Sequence, residues 1–205
     1  MIILGIDPGT ATIGVGIIEC DGLKLISKYF GWIETSKDDG AGKRLIQIHR
    51  ETRNIIRTYK PDVLAIERLF FFINHKTAMA VAESIGVIKL AAEAEGIKVV
   101  SFAPLEIKST VAGSGKADKS EIKVVVRKIL NIRSPKKKKT HFDDLCDAMA
   151  VAICYAKKNL FPKDDQIGYN KLPRSKRTRS PAKAGKFDTL SASRNKLPRK
   201  NVKKN

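Results

Sequence analysis

Acidic residues follow two of the most apolar segments of this sequence. Asp7 comes directly after the apolar run 2–6, and Glu67 comes directly after the run 63–66. Short apolar runs of this kind are typical of buried strands. A carboxylate at the end of a buried strand is partly withdrawn from water, so it requires a cation or hydrogen-bond donors. Because Mg²⁺ prefers oxygen ligands, the two positions predict a magnesium site at one edge of a sheet.

A third acidic group stands at the start of the last predicted helix, in the segment 141–150. Asp144 and Asp147 are three positions apart and share a helix face, and Asp143 and Asp147, which are four apart, do so too. Spacing therefore does not choose between Asp143 and Asp144. The residues after Asp147 are apolar, which indicates that this helix packs against the sheet and that its first carboxylates can face the strand ends.

Each carboxylate also has a purely structural interpretation. Asp7 precedes a Pro-Gly pair and would suit a turn, and Glu67 could pair with Arg68 or with a distant lysine. Asp143 or Asp144 could cap the last helix, which is a common use of aspartate. The joint occurrence of these carboxylates is what favours a metal site.

The elements that would position these groups can be predicted from hydrophobic periodicity. Strands are expected at 2–6, 13–18, 23–33, 63–67 and 97–102. Helices are expected at 43–59, at 77–95 with Gly96 as its stop, after an N-terminal cap at Asp118, and at about 141–156. The order βββαβαβαα predicts an α/β fold with a mixed five-stranded sheet flanked by helices.

Composition favours a polyanionic partner. The chain of 205 residues has 40 Lys and Arg against 21 Asp and Glu, a formal net charge of +19. Cationic surfaces attract nucleic acid and release its counterions, although charge alone does not distinguish DNA from RNA or from an acidic membrane. Between residues 161 and 205 there are 14 Lys and Arg and 3 Asp, with no sustained apolar period. We therefore predict a domain at 1–159 and a disordered basic tail at 160–205.

The cysteines and the apolar segments bear on the compartment. Cys20, Cys146 and Cys154 show no metal-ligand spacing, and their odd number favours reduced thiols. No run of about 18 apolar residues could span a bilayer, and the first residues do not resemble a signal peptide. We expect a soluble cytoplasmic protein without a membrane partner.

Several blocks of the sequence resemble the RuvC family of Holliday-junction resolvases, the crossover junction endodeoxyribonucleases. The resemblance runs in order from residue 2 to about 157, through the blocks 3–10 with Gly14, 65–67 with Phe70, 76–78, 104–108, 111–119 and 144–152. A single block is unspecific, since the Asp-Pro-Gly-Thr segment also resembles the opening of actin-like ATPases. Together the blocks are highly specific.

The resemblance implies an RNase H-like fold and a homodimer that nicks two opposed strands of a four-way DNA junction, leaving 5′-phosphate ends. It also implies two Mg²⁺ ions, with Mn²⁺ as a substitute, and cooperation with a branch-migration helicase complex. Two such ions about 4 Å apart can activate a water and hold the leaving oxygen.

The resemblance also assigns site residues. The implied metal ligands and catalytic carboxylates are Asp7, Glu67, Asp147 and, in preference to Asp143, Asp144. Lys119 is implied as a further catalytic residue, and the implied DNA-binding residues are Phe70, Lys76, Lys108, Ser114, Lys116 and Lys119. Phe70 could equally belong to a core or a dimer contact, and the lysines could be ordinary solvated side chains.

Other functions remain open from the sequence. Another RNase H-like nuclease, acting on RNA–DNA hybrids or transposon ends, would keep the chemistry and change the substrate. A non-cutting junction-binding protein would keep the fold, but it has no need for four clustered carboxylates. An actin-like ATPase would need a second phosphate loop and an adenosine site, neither of which the sequence contains. The tail could bind DNA nonspecifically or bind another recombination protein.

Overall fold

A computed structural model of the chain describes residues 1–69, 75–132 and 142–162, and it describes residues 75–76 and 142–144 by their backbone alone. The described residues form a mixed five-stranded sheet with helices on both faces, as predicted. Its strands are β1 (Ile2–Asp7), β2 (Thr12–Asp21), β3 (Lys24–Glu34), β4 (Val63–Glu67) and β5 (Lys98–Phe102). Their order across the sheet is β3-β2-β1-β4-β5.

The direction of the strands follows from their connections. Short turns join β1 to β2 and β2 to β3, and both pairs are antiparallel. Helices α1 (Ala41–Tyr59) and α2 (His75–Ala94) connect β3 to β4 and β4 to β5. Such crossovers allow parallel pairing, and β4 is parallel to both β1 and β5. The C-terminal ends of β1 and β4 therefore lie at the same edge of the sheet.

One face of the sheet packs against α1 and α2. Leu4 and Ile6 of β1 are fully buried there against a stripe of α1 that includes Ile48 and Ile56. Helix α1 ends where Lys60 adopts a left-handed conformation with φ of 47°, directly before Pro61. A proline cannot continue the hydrogen-bond ladder, so the chain leaves the helix and enters β4.

The opposite face packs against α3 (Pro104–Ala112), α4 (Lys119–Leu130) and α5 (Phe142–Asn159). Helix α5 runs over the centre of the sheet, and its residues 148–154 are at most 1% exposed. Burial of each large aliphatic side chain stabilises the fold by roughly 1.5–3 kcal/mol. Helix α5 is therefore fixed firmly against β1 and β2.

Helix α3 corrects the predicted order, which had two helices after β5 where the structure has three. Its nine residues present only Ile107 and Val111 as buried apolar positions, too few for a periodic signal. Local signals for it are nevertheless present in the sequence. Pro104 opens the helix, the Glu106 carboxylate accepts a hydrogen bond from the Ala103 N–H, and Gly113 ends it with φ of 78°.

The packed core extends past the end of α5. Leu160 and Phe161 follow α5 and pack against the same core, and Phe161 is only 5% exposed. Residues 163–205, which include most of the predicted tail, lie outside the described residues, so the tail and the boundary remain predictions. Among the helices that are described, none has the length and apolar character needed to cross a membrane.

Candidate active site

Asp7 and Glu67 end neighbouring parallel strands on the same face of the sheet. The pairing of β1 with β4 runs from Ile3 and Val63 to Ile6 and Ile66, and the two carboxylates occupy the next position on each strand. Side chains alternate between faces along a strand. Since Ile3 and Val63 pack on the side of α5, Asp7 and Glu67 are on that side too. Adjacent strands are about 4.8 Å apart, so the two residues are close neighbours.

Two glycines allow α5 to approach these strand ends. Gly5 of β1 and Gly16 of β2 are paired across the strands. A Cβ atom on Gly5 would lie 2.2 Å from the Ala148 carbonyl oxygen, and one on Gly16 would lie 2.8 Å from Met149 Sδ. Because neither position carries a side chain, the helix backbone rests directly on the sheet. Asp147, next to Ala148 on the helix, is brought to the edge where Glu67 ends β4.

Burial is the main cause that raises the pKa of Glu67 above its usual range. The negative charge of Asp147 raises it further, while the positive charges of Lys119 and Lys108 lower it. Two carboxylates that disfavour each other's charge in a partly buried place form a site that a cation would stabilise. Glu67 therefore lies within electrostatic reach of Asp147, Lys108 and Lys119.

Lys119 reaches this group from the first position of α4. The helix begins with the predicted cap at Asp118, which is reciprocal: Asp118 accepts from the Glu121 N–H at 2.9 Å, and Glu121 accepts from the Asp118 N–H at 3.0 Å. From this fixed start, Lys119 Nζ donates to Asp147 Oδ2 at 3.2 Å. The Lys119 side chain remains 71% exposed, so its ammonium group is accessible from solvent.

Ser114 and Lys116 lie in the loop between α3 and α4, and both are exposed. The Ser114 hydroxyl accepts a hydrogen bond from the Lys116 N–H at 3.2 Å, which shapes the turn. Both residues are thus on the surface beside the start of α4, without a contact to the carboxylates in the described part of the chain.

Lysines at the end of α5 hold α3, and sequence reasoning missed them. Lys157 is 2% exposed and donates to the carbonyl oxygens of Thr110 and Val111, at 3.3 and 3.4 Å. Burial lowers the pKa of Lys157. Lys158 forms an ion pair with Glu106. These contacts fix the helix that carries Lys108, and nothing in the spacing of two lysines at a helix end predicts them.

Other predicted site residues lie outside what is described. Phe70 falls in the gap after residue 69, and the side chains of Lys76, Asp143 and Asp144 are not described, although their backbones belong to α2 and α5. Among the described side chains, no group of three His, Cys, Asp or Glu is close enough together to hold a metal ion. The metal ligands therefore remain a proposal.

Comparisons with known proteins point to one family. Residues 3–155 match the sequence profile described as Crossover junction endodeoxyribonuclease RuvC. The crossover junction endodeoxyribonuclease RuvC of Petrotoga mobilis is 43% identical over 155 residues, which is 76% of this chain and 93% of the relative. The Thermus thermophilus RuvC structure is 30% identical, with a TM-score of 0.67 and coverage of 76% of this chain and 93% of that one.

A second structure carries DNA. T. thermophilus RuvC in complex with a Holliday junction substrate is 28% identical to this chain and has a TM-score of 0.69. The similarity covers 82% of this chain and 97% of that one. The predicted RNase H-like fold is confirmed by these likenesses.

Proposed function

The chain belongs to the RuvC family of crossover junction endodeoxyribonucleases, and we propose that it resolves Holliday junctions with the carboxylates Asp7, Glu67, Asp144 and Asp147. It is a metal-dependent nuclease that acts on junction DNA. The observation that carries the assignment of the site is the convergence of Glu67, Asp147, Lys108 and Lys119 at the strand edge where Asp7 ends β1.

Mg²⁺ is the cation we propose, with Mn²⁺ as a substitute. The donor set fits a hard cation, because it consists of carboxylate oxygens. The negative charges of Glu67 and Asp147 repel each other, and a cation would relieve that repulsion. When bound, a pair of such ions supplies an activated water and neutralises charge on the phosphate. The described side chains of Asp7, Glu67 and Asp147 do not form a complete ligand group by themselves, so in this proposal they would hold the ions together with Asp144.

Asp144 is the fourth ligand in this proposal. It precedes Ala148 by four positions on α5, and the Ala148 carbonyl lies over Gly5. Residues four apart on a helix share a stripe, so Asp144 belongs to the stripe above β1, and Gly5 is two residues before Asp7. Asp143 precedes Asp147 by four positions and lies on the neighbouring stripe. This register is compatible with Asp144 beside Asp7, and the choice of Asp144 over Asp143 rests on the family resemblance.

Positive side chains would bind the substrate backbone. We assign Lys119 to the scissile phosphate, because its ammonium group is exposed yet tied to Asp147. Lys108, whose charge acts on Glu67, would contact an adjacent phosphate. Phosphate contacts fix position without reading sequence, so recognition rests mainly on junction shape. The remaining proposed DNA contacts are Phe70, Lys76, Ser114 and Lys116.

The oligomeric state, the protein partner and the compartment are also proposals. Symmetric nicking of two opposed strands requires two active sites, so we propose a homodimer, which analytical ultracentrifugation would test. We further propose cooperation with a branch-migration helicase complex, on the family resemblance alone. Action in the cytoplasm is proposed because Cys20, Cys146 and Cys154 are free thiols in the structure.

A comparison of substrates tests the function. A synthetic four-way junction, a linear duplex and an RNA–DNA hybrid are each incubated with and without Mg²⁺. Paired symmetric nicks in the junction alone, lost without metal, are expected. Cleavage of the hybrid would instead assign the protein to ribonucleases with the same chemistry, and tight junction binding without cleavage would leave a DNA-binding protein.

A further inference from the structure

Arg44 donates a hydrogen bond to the loop that follows Asp7. We propose that it is a positioning residue for the cleavage reaction, which holds the 8–11 loop so that Asp7 keeps its place at the metal site. The inference rests on the proposed role of Asp7 as a metal ligand. Arg44 itself lies on α1, on the opposite face of the sheet from the carboxylates.

The contacts of Arg44 converge on one carbonyl group. Arg44 Nη2 donates to the Thr10 carbonyl oxygen at 2.5 Å, and Arg44 Nε donates to Thr35 Oγ1 at 3.0 Å. The Thr35 hydroxyl in turn donates to the same Thr10 oxygen at 2.8 Å. Thr35 is only 4% exposed, and its N–H donates to the Ala11 carbonyl at 2.9 Å. Three residues from three parts of the chain therefore form a closed network.

The loop transmits this restraint to Asp7. The loop joins β1 to β2, and Asp7 and Gly14, which flank the loop on the two strands, are paired with each other. Its turn is tight, since a Cβ atom on Gly9 would lie 2.1 Å from the Thr12 carbonyl oxygen. A displacement of Thr10 is therefore taken up along a short, closed stretch of backbone. Asp7 is only three residues away.

An arginine is required for this geometry. The guanidinium group offers donors in a rigid fork, so Nε and Nη2 bind Thr35 and Thr10 at the same time. A lysine in place of Arg44 keeps the charge but presents a single ammonium group, which cannot reproduce two fixed directions. Arg44→Lys should therefore behave like Arg44→Ala rather than like the unchanged protein.

Arg50 provides a matched control. It lies on the same helix as Arg44, its side chain is 65% exposed, and it contacts the neighbouring Glu51 at 3.4 Å. Arg50→Ala removes the same charge from α1 without touching the loop. A change that follows from net charge alone would appear in both variants.

The experiment combines cleavage with two readouts that do not depend on it. Mn²⁺ binding is measured from the electron paramagnetic resonance signal of free Mn²⁺, and hydrogen exchange is measured at the Thr35 amide. For Arg44→Ala and Arg44→Lys we expect several-fold weaker Mn²⁺ binding, faster exchange at Thr35, and a kcat for junction cleavage lower by about ten- to a hundredfold. The affinity of both variants for the junction in EDTA should stay within about twofold of the unchanged protein. For Arg50→Ala, Mn²⁺ binding, exchange at Thr35, kcat and junction affinity should all stay within about twofold.

Several outcomes would overturn the inference. Normal Mn²⁺ binding and a normal kcat in both Arg44 variants would do so. Weaker junction binding in EDTA together with normal Mn²⁺ binding would do so as well, because Arg44 would then be a DNA contact. Should Arg44→Ala fail to fold, as judged by circular dichroism, Arg44→Lys and Thr35→Val each disrupt the network and carry the same test. A wild-type protein that cleaves no junction would overturn the proposed function, whereas Thr35 exchange would still report on Arg44.

Discussion

Lys119 Nζ lies 3.2 Å from Asp147 Oδ2, and this contact joins the start of α4 to α5 at the candidate active site. The two partners differ in exposure, with 71% for the lysine side chain and 17% for the aspartate. The exposed ammonium group can therefore approach a phosphate while it stays beside a carboxylate. An ion pair so open to solvent contributes little to stability. Loss of the lysine should therefore affect cleavage much more than folding.

Lys119→Met should lower the single-turnover rate of junction cleavage by about 10²–10³-fold, because the negative charge that develops on the phosphate is no longer stabilised by a positioned ammonium group. The free energy of unfolding, measured with urea, should change by less than about 1 kcal/mol. Lys128→Met, an exposed change on the same helix, serves as the control. A Lys119→Met rate equal to that of the control would remove Lys119 from the catalytic group.

Gly5→Ala should destabilise the protein by roughly 1–3 kcal/mol, because the new methyl group meets the backbone of α5 at Ala148 and the helix must move. Since the helix carries Asp147, cleavage should fall as well. Urea unfolding and junction cleavage measure the two effects.

Gly42→Ala is the matched change, since a Cβ atom on Gly42 meets nothing within 4 Å. Gly42 is the second residue of α1, where alanine should raise stability by at most roughly 0.5–1 kcal/mol, the value for a helix interior. Equal effects of the two substitutions would contradict the close approach of α5 to β1.

Glu106→Gln tests the tie between α3 and α5. The hydrogen bond from Lys158 is the main cause that holds the pKa of Glu106 below its usual range. A carboxyl group with a lowered folded pKa contributes stability that is present above its unfolded value, near 4.5, and is lost as the pH falls through the folded value. Glu106→Gln should thus be less stable than the unchanged protein at pH 7, and the gap should narrow towards pH 3. A gap that is constant with pH would contradict the ion pair.

Removal of residues 163–205 tests the basic tail, where 14 Lys and Arg stand against 3 Asp. If the tail binds DNA, the slope of log affinity against log salt should become less steep, because fewer counterions are released. Junction affinity is measured between about 50 and 200 mM salt. An unchanged slope would reject the DNA role and favour a protein partner for the tail.

The sequence was sufficient to predict the sheet, because β1 and β4 are short apolar runs and α1 has a clear helical period. The cap at Asp118 and the stop at Gly96 were also predictable, since each depends on a few adjacent residues. Helix α3 was missed, because a nine-residue helix with two buried positions has no measurable period.

The site was predictable in its residue types more than in its geometry. Apolar strands that end on carboxylates indicated Asp7 and Glu67, whereas the closeness of Lys108 and Lys119 to Glu67 came from the family resemblance. The network of Arg44 with Thr10 and Thr35 joins residues 25 and 34 positions apart. No local pattern encodes such contacts, because they exist only after β3 and α1 have packed beside the loop.

Cleavage and binding of one four-way junction by Asp7→Asn and by the unchanged protein test the central claim most directly. Asparagine keeps the size of the side chain and removes the charge that would hold the cations. We predict that cleavage in Mg²⁺ falls by at least about 10³-fold while the junction Kd stays within about threefold. Cleavage by Asp7→Asn at the unchanged rate, or loss of junction binding, would contradict it.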